Sequence, residues 1–121
     1  MKTVLLATQI AAASTILNVW LLRRQVASPW RGASSRTLRE EFAAYGLPSW
    51  AMRLVGVGKV SCALMLLAGV LYPTLVRPAA MALALFMTGA IAMHIRVADP
   101  VRKSMPAAAV LTLALVAAVL A

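Results

Sequence analysis

The sequence predicts an all-α protein: a four-helix transmembrane bundle with up-down topology and a short amphipathic interfacial helix between the first and second spans. Apolar residues form 63% of the chain and charged residues only 12%, whereas soluble domains are roughly 45–50% apolar. The apolar residues lie in four long runs, each close to the about 20 residues that a helix needs to cross a bilayer. Four crossings and their loops use the whole chain, so we expect residues 1–121 to form one membrane domain.

The first run covers residues 3–22 and ends at two consecutive arginines. Its length and its basic flank are those of a spanning helix. A cleaved signal peptide is the alternative, because Lys2 precedes a short apolar core and three alanines at 11–13. The apolar character resumes over residues 16–22, which favours the spanning helix.

A polar loop over residues 23–49 follows, and one short helix is predicted inside it. Thr37 and Glu40 form a capping-box pattern that opens this helix, and Gly46 and Pro48 end it. Its apolar side chains are Leu38, Phe42 and Tyr45. An amphipathic helix of this kind lies on the membrane surface.

The second, third and fourth runs cover residues 50–72, 75–97 and 105–121. Pro78 falls in the first turn of the third run, where proline is tolerated. Ser104 stands at the N-cap position of the fourth run. At helical rise the fourth run measures only about 25 Å, so it barely spans a bilayer.

Lysines and arginines are unequally divided between the two sides of the predicted bundle. Apart from Lys2 and Arg77, the basic residues outside the membrane interior flank the first and third loops. Cytoplasmic loops carry an excess of basic residues, so we expect these two loops in the cytoplasm and both termini outside. Short connections make sequential helices antiparallel neighbours, which gives the up-down order. The residues on the basic side are Arg23, Arg24, Arg31, Arg36, Arg39, Arg96, Arg102 and Lys103.

Composition also bears on partners and cofactors. A net charge of +9 would indicate a nucleic-acid partner in a soluble protein. Here the charges flank apolar runs, so we expect membrane lipids as partners and no nucleic acid. Cys62 is the only cysteine and His94 the only histidine. We therefore expect no disulfide, no metal site and no haem or iron–sulfur ligation within the chain.

Lys59 is the polar residue that most needs an explanation, because it lies about 15 Å along the second run, close to mid-bilayer. One hypothesis is that it binds an anionic headgroup, a quinone oxygen or a proton. The structural alternative is a cation that is hydrogen-bonded to Asn18 or Gln9 of the first run, or that snorkels to the surface.

His94 and Arg96 lie near the end of the third run, beside the third loop. Their cationic forms suit a helix C-terminus, where they could meet a phosphate or Asp99. An interfacial structural or lipid-contacting role is therefore predicted for His94. The candidate ligand-binding residues are Lys59, His94, Arg96, Asn18 and Gln9. The signatures of common hydrolases and nucleoside triphosphatases are missing from the sequence, so no residue is assigned to catalysis.

Several short segments carry a family resemblance: FAAYGLPSW at 42–50, LVGVGK at 54–59, LMLLAG at 64–69, and TGAIAMHIR at 88–96 followed by Asp99-Pro100. With these segments, residues 42–121 resemble the DoxX-like family of small bacterial membrane proteins. The resemblance implies a four-helix bundle in the bacterial inner membrane and a link to quinone, thiol or oxidative-stress metabolism. Relatives often carry an acid where this chain has Lys59, so an acid-dependent mechanism is not implied here.

Three hypotheses of function remain open. The leading one is an accessory protein that supports a membrane redox or envelope process through a partner protein or a lipophilic ligand. The second is a redox subunit in which Lys59, Asn18 and His94 line a quinone-sized pocket and a partner supplies the electrons. The third is a lipid or small-molecule carrier in which Arg53, Arg96 and Arg102 receive headgroups. Quinone is the cofactor considered, and a homo-oligomer is a further hypothesis.

Overall fold

The computed structural model describes residues 1–23, 25, 27–33 and 35–121, and these residues form helices and no strands. The all-α prediction is thus confirmed. Helix α1 continues directly into a π-helical segment, and short 3₁₀ turns precede α4 and α5. The helices are α1 (Lys2–Leu17), α2 (Leu38–Ala44), α3 (Ser49–Ala68), α4 (Val76–Arg96) and α5 (Met105–Leu120), with the π-helical segment at Asn18–Leu22 and the 3₁₀ turns at Pro73–Leu75 and Val101–Ser104.

Four helical stretches are long and apolar enough to cross a membrane. They pack as a ring in which α1 contacts α3 and α5, and α4 contacts the same two helices. Each spanning helix therefore lies beside its neighbours in sequence, as in an up-down bundle. The four stretches are Lys2–Leu22, Ser49–Ala68, Pro73–Arg96 and Val101–Leu120.

Small side chains fill the centre of the bundle. Ala13, Ala63, Ala80 and Ala114 are completely buried, one on each spanning helix. Alanine at a contact lets two helix backbones approach closely, which is a main source of packing energy inside a membrane.

The helix ends differ from the predicted runs at two places. α3 ends at Ala68 instead of residue 72, because the chain turns at Gly69, where an added Cβ would collide with Val76. Ser104 occupies the N-cap position of α5, but its side chain makes no capping bond. The 3₁₀ turn before it leads directly into the helix and lengthens the apolar stretch to 20 residues.

The short helix α2 begins and ends as the sequence predicts. Its first turn is capped by Thr37, whose hydroxyl accepts a hydrogen bond from the backbone N–H of Glu40 at 3.2 Å. The Glu40 carboxylate accepts from the N–H of Arg36 at 2.8 Å, one residue earlier than in a standard capping box. Gly46 follows the helix with φ +77°, the left-handed conformation that favours glycine. The apolar side chains Leu38, Phe42 and Tyr45 are buried, and α2 packs against α3.

Two glycines of α3 allow aromatic rings to lie directly on the helix backbone. A Cβ at Gly56 would be 2.9 Å from the Trp20 ring, and a Cβ at Gly58 would collide with the ring of Phe86. Gly89 of α4 has no such neighbour within 4 Å. Gly56 and Gly58 therefore set the positions of two aromatic side chains inside the bundle.

The Gly58→Ala variant is expected to lower the thermal unfolding temperature in detergent, because overpacking typically costs about 1–3 kcal/mol. The matched Gly89→Ala variant adds the same methyl group to open space and gains up to about 1 kcal/mol of helix propensity. Its unfolding temperature should be unchanged or higher. Equal shifts in both variants would contradict the close contact between Gly58 and Phe86.

Candidate ligand-binding site

A cavity of about 760 Å³ lies inside the bundle, at the end formed by the first and third loops. Its volume is within the range of about 300–1,000 Å³ that is typical of small-molecule sites. All four spanning helices and α2 contribute to its wall. Among its apolar lining residues are Ile16, Leu38, Val55, Met87, Ala107 and Val110.

Aromatic side chains converge on this cavity. Five of the seven aromatic residues of the chain line it: Trp20, Trp30, Phe42, Tyr45 and Phe86. Three of the rings contact one another in series, with centroids 5.8 Å apart for Trp20 and Phe42 and 6.0 Å apart for Phe42 and Tyr45. The Tyr45 ring continues the series to His94, edge-on at 6.1 Å.

Lys59 lies in the wall of the cavity with only 7% of its surface exposed. Its Nζ is 5.2 Å from the centroid of the Trp20 ring, which is cation–π distance. Trp20 belongs to the π-helical segment, a local widening of the helix that is frequent at functional sites. Neither Asn18 nor Gln9 bonds to Lys59, and no described residue accepts a hydrogen bond from its ammonium group.

A second set of polar side chains lines the cavity near the first loop: Glu41, Tyr45 and Arg31. The Tyr45 hydroxyl donates to Glu41 Oε1 at 2.6 Å, and Arg31 Nη1 lies 3.9 Å from Glu41 Oε2. Burial raises the pKa of the Tyr45 phenol, and the bonded carboxylate raises it further. Burial lowers the pKa of Arg31, and the negative charge of Glu41 opposes that shift.

Asp99 connects the first loop to the turn between α4 and α5. Its two carboxylate oxygens accept from the backbone N–H of Ala33 at 2.9 and 3.1 Å. His94 Nδ1 lies 2.7 Å from Asp99 Oδ2, and Lys103 Nζ lies 4.0 Å from Oδ1. Lys103 also donates to the carbonyl of Ala33. From the sequence, His94 and Arg96 could meet a phosphate or Asp99. The structure shows the contact between His94 and Asp99.

The candidate residues from the sequence fall into two groups. Lys59, Asn18 and His94 line the cavity. Gln9 does not; it is 1% exposed and its amide donates to the Leu66 carbonyl at 2.9 Å, a bond that joins α1 to α3. Arg96 is exposed and is not part of the lining.

Other residues of the site were not predicted from the sequence. Trp20, Tyr45, Glu41 and Phe86 line the cavity, and Asp99, outside the lining, contacts His94 and the first loop. One signal was available: Glu41 and Asp99 are two of only three acidic residues in the chain. Among the described residues, no group of three or more His, Cys, Asp or Glu side chains is placed to hold a metal ion.

Comparison with known proteins identifies one family. The model of the DoxX-like family matches residues 3–119, which includes the first helix and the first loop as well as the segments that carried the resemblance. No curated protein and no solved structure matches the chain.

The pKa of Tyr45 predicts a loss of stability at alkaline pH. A tyrosine in the unfolded chain has a pKa of about 10, and the folded protein holds the proton more tightly. The stabilisation is therefore complete below about pH 10 and is lost as the pH rises above it. Above about pH 10, the thermal unfolding temperature should fall more steeply with rising pH in wild type than in Tyr45→Phe. Tyr72→Phe, a change at an exposed tyrosine, should decline as wild type does, and the same slope in all three proteins would refute the assignment.

Proposed function

This chain belongs to the DoxX-like family of membrane proteins, and we propose that it is an accessory protein that holds a lipophilic ligand for a membrane redox or envelope process. The observation that carries the proposal is the ammonium group of Lys59 in the wall of an apolar cavity, without an acceptor among the described residues. The catalytic chemistry of that process would belong to a partner protein.

The cost of a buried cation supports ligand binding. An ionisable group at membrane depth usually pairs with another group or lines a wet cavity or a pathway. The Trp20 ring compensates part of the cost, since a cation over an aromatic face gains about 0.5–2 kcal/mol. A ligand oxygen, carbonyl or anionic, would supply the missing acceptor. The apolar and aromatic wall would then take the lipophilic body of the ligand.

A quinone-interacting subunit of an oxidoreductase is the second candidate. The aromatic wall supports it, because flat rings stack on aromatic side chains. Lys59, Asn18 and His94 would supply polar contacts to the quinone oxygens, and a partner would supply the electrons. Turnover of a quinone by the purified protein alone would favour an enzyme over the accessory role.

The carrier hypothesis has less support. Arg53, Arg96 and Arg102 are exposed, so they can reach lipid headgroups at the membrane surface. They do not line the cavity. Headgroup contacts at these arginines would therefore be separate from the cavity that contains Lys59.

The accessory role includes an orientation, with the loop-bearing end of the cavity toward the cytoplasm of a bacterial inner membrane. Single cysteines in a Cys62→Ala background test it. Thr74→Cys lies in the turn before α4, and Val101→Cys lies at the opposite end of the bundle, where Val101 is 86% exposed. A membrane-impermeant maleimide added to spheroplasts should label the cysteine at 74 and spare the one at 101 until the membrane is opened. The reverse pattern would overturn the orientation.

Replacement of Lys59 is the direct test of ligand binding. The protein, purified in mild detergent, is examined by native mass spectrometry with extraction of lipids and quinones. Wild type and Arg53→Met should carry the same specific lipophilic molecule, and Lys59→Met should lose it. Arg53→Met is the control, because it removes one positive charge from an exposed position of the same helix.

Thermal unfolding separates a binding role of Lys59 from a structural one. Compared with wild type from which the ligand has been extracted, Lys59→Met should have an unchanged or higher unfolding temperature, because it removes a buried cation without an acceptor. A large drop in that temperature with no change in bound molecules would indicate a structural lysine and would contradict the proposal.

A further inference from the structure

We propose that His94 and Asp99 form a proton-accepting site for the hydroxyl group of a lipophilic phenol bound in the cavity. This inference rests on the proposed function, since it names the chemical class of the ligand. It assigns a role to a pair of residues that ligand binding at Lys59 does not require. His94 lines the cavity, and Asp99 lies behind it, outside the lining, in contact with the ring.

Asp99 is held in one position by several partners. The Ala33 N–H donates to both of its oxygens, Lys103 lies beside Oδ1, and the side chain is only 4% exposed. The carboxylate that faces His94 is therefore fixed in place. A fixed carboxylate on one imidazole nitrogen selects the neutral tautomer that carries its proton there.

The remaining ring nitrogen is available to a ligand. His94 Nδ1 is 2.7 Å from Asp99 Oδ2, so Nδ1 donates and Nε2 is the acceptor of the neutral ring. His94 lines the cavity, and no described residue bonds to its Nε2. The Tyr45 ring meets the imidazole edge-on, and the Tyr45 hydroxyl is committed to Glu41. The geometry leaves Nε2 for a donor inside the cavity.

The arrangement of aspartate and histidine resembles the base half of a catalytic triad in its physical roles. There the carboxylate orients the imidazole and stabilises the imidazolium that forms when the ring takes a proton. The charged and titratable groups around His94 are Asp99 and Lys103 on the turn and Tyr45 on α2. Of these, Asp99 is the one in direct contact with the ring, through Nδ1.

The chemistry of the pair selects an acidic hydroxyl. A neutral imidazole accepts a proton far more readily from a phenol, with a pKa of about 10, than from an aliphatic alcohol. Four rings beside the cavity, those of Trp20, Phe42, Tyr45 and Phe86, provide faces for an aromatic ligand. Lys59 provides a positive charge in the same space, which favours a ligand that becomes an oxyanion.

The step is a reversible proton transfer. The O–H bond of the phenol breaks, its proton forms a bond to Nε2, and the electron pair remains on the oxygen. The products are an imidazolium beside the Asp99 carboxylate and a phenolate in a cavity that contains the Lys59 cation. No electron acceptor or donor takes part in this step.

The first experiment tests the histidine without any ligand. His94 is the only histidine, so ¹⁵N-labelled histidine gives one pair of ring signals from the whole protein in nanodiscs at neutral pH. We expect the neutral ring with its proton on Nδ1. Asp99→Asn should shift the population toward the other tautomer, whereas Glu40→Gln, a change at an exposed acid, should not. An Nε2–H ring or an imidazolium in wild type would overturn the inference.

The second experiment uses a matched pair of probes, para-octylphenol and para-octylanisole, which differ only in the hydroxyl proton and its methyl replacement. The wild type should bind the phenol about five- to tenfold more tightly, the effect of one net hydrogen bond. His94→Gln should lose most of that preference. Arg96→Gln, two positions away and exposed, should retain it.

The outcomes separate this inference from the proposed function. Equal affinity of wild type for both probes overturns the role of His94 and Asp99, although the cavity still binds a lipophilic ring. Binding of neither probe by a protein that retains its Lys59-dependent ligand overturns the phenol class alone. A wild-type protein that carries no lipophilic molecule dependent on Lys59 is the separate result that would overturn the proposed function.

Discussion

The burial of one cation within a membrane-spanning helix is the constraint on which the rest of this structure depends. Lys59 cannot be solvated by lipid, and it has the Trp20 ring in place of a carboxylate. The ring over the ammonium group belongs to the π-helical segment at the end of α1, and it lies against Gly56 of α3, where a Cβ would be 2.9 Å from the indole. Gly58, two residues further along α3, accommodates the ring of Phe86. The π-helical segment of α1 and Gly56 of α3 thus both contribute to the position of Trp20 beside the Lys59 cation.

The few acidic residues complete this arrangement at the loop-bearing end. Glu41 is the carboxylate whose field reaches Lys59, but its own bonds go to Tyr45 and Arg31. Asp99 is committed to the first loop and to His94. Both acids are therefore engaged with other groups, and neither forms an ion pair with Lys59. A cavity with a positive group in an apolar and aromatic wall is suited to a ligand that brings its own acceptor oxygen.

The helices could be predicted from the sequence because their causes are local. Run length sets the number of crossings, and the Thr37 hydroxyl caps α2 three residues from its partner. The site depends on distant pairs, such as Ala33 with Asp99, which are separated by 66 positions. The π-helical segment lies within an apolar run whose composition carries no sign of it. Gln9 was a candidate for ligand binding because it is polar and lies at membrane depth. In the structure its amide donates a hydrogen bond from α1 to α3.

The residue at position 59 also limits what family membership can say about the ligand. The family model covers the chain from the first helix to the last, so it accounts for the bundle. The resemblance implies that relatives often have an acid at this position. In those proteins the corresponding wall would be negative, whereas here it is positive. A carboxylate there would attract donors and cations, whereas an ammonium group attracts acceptors and anions. The same bundle with the sign of its inner charge reversed should therefore hold a different class of ligand. In this chain, the ligand is better inferred from Lys59, His94 and the aromatic wall than from the family as a whole.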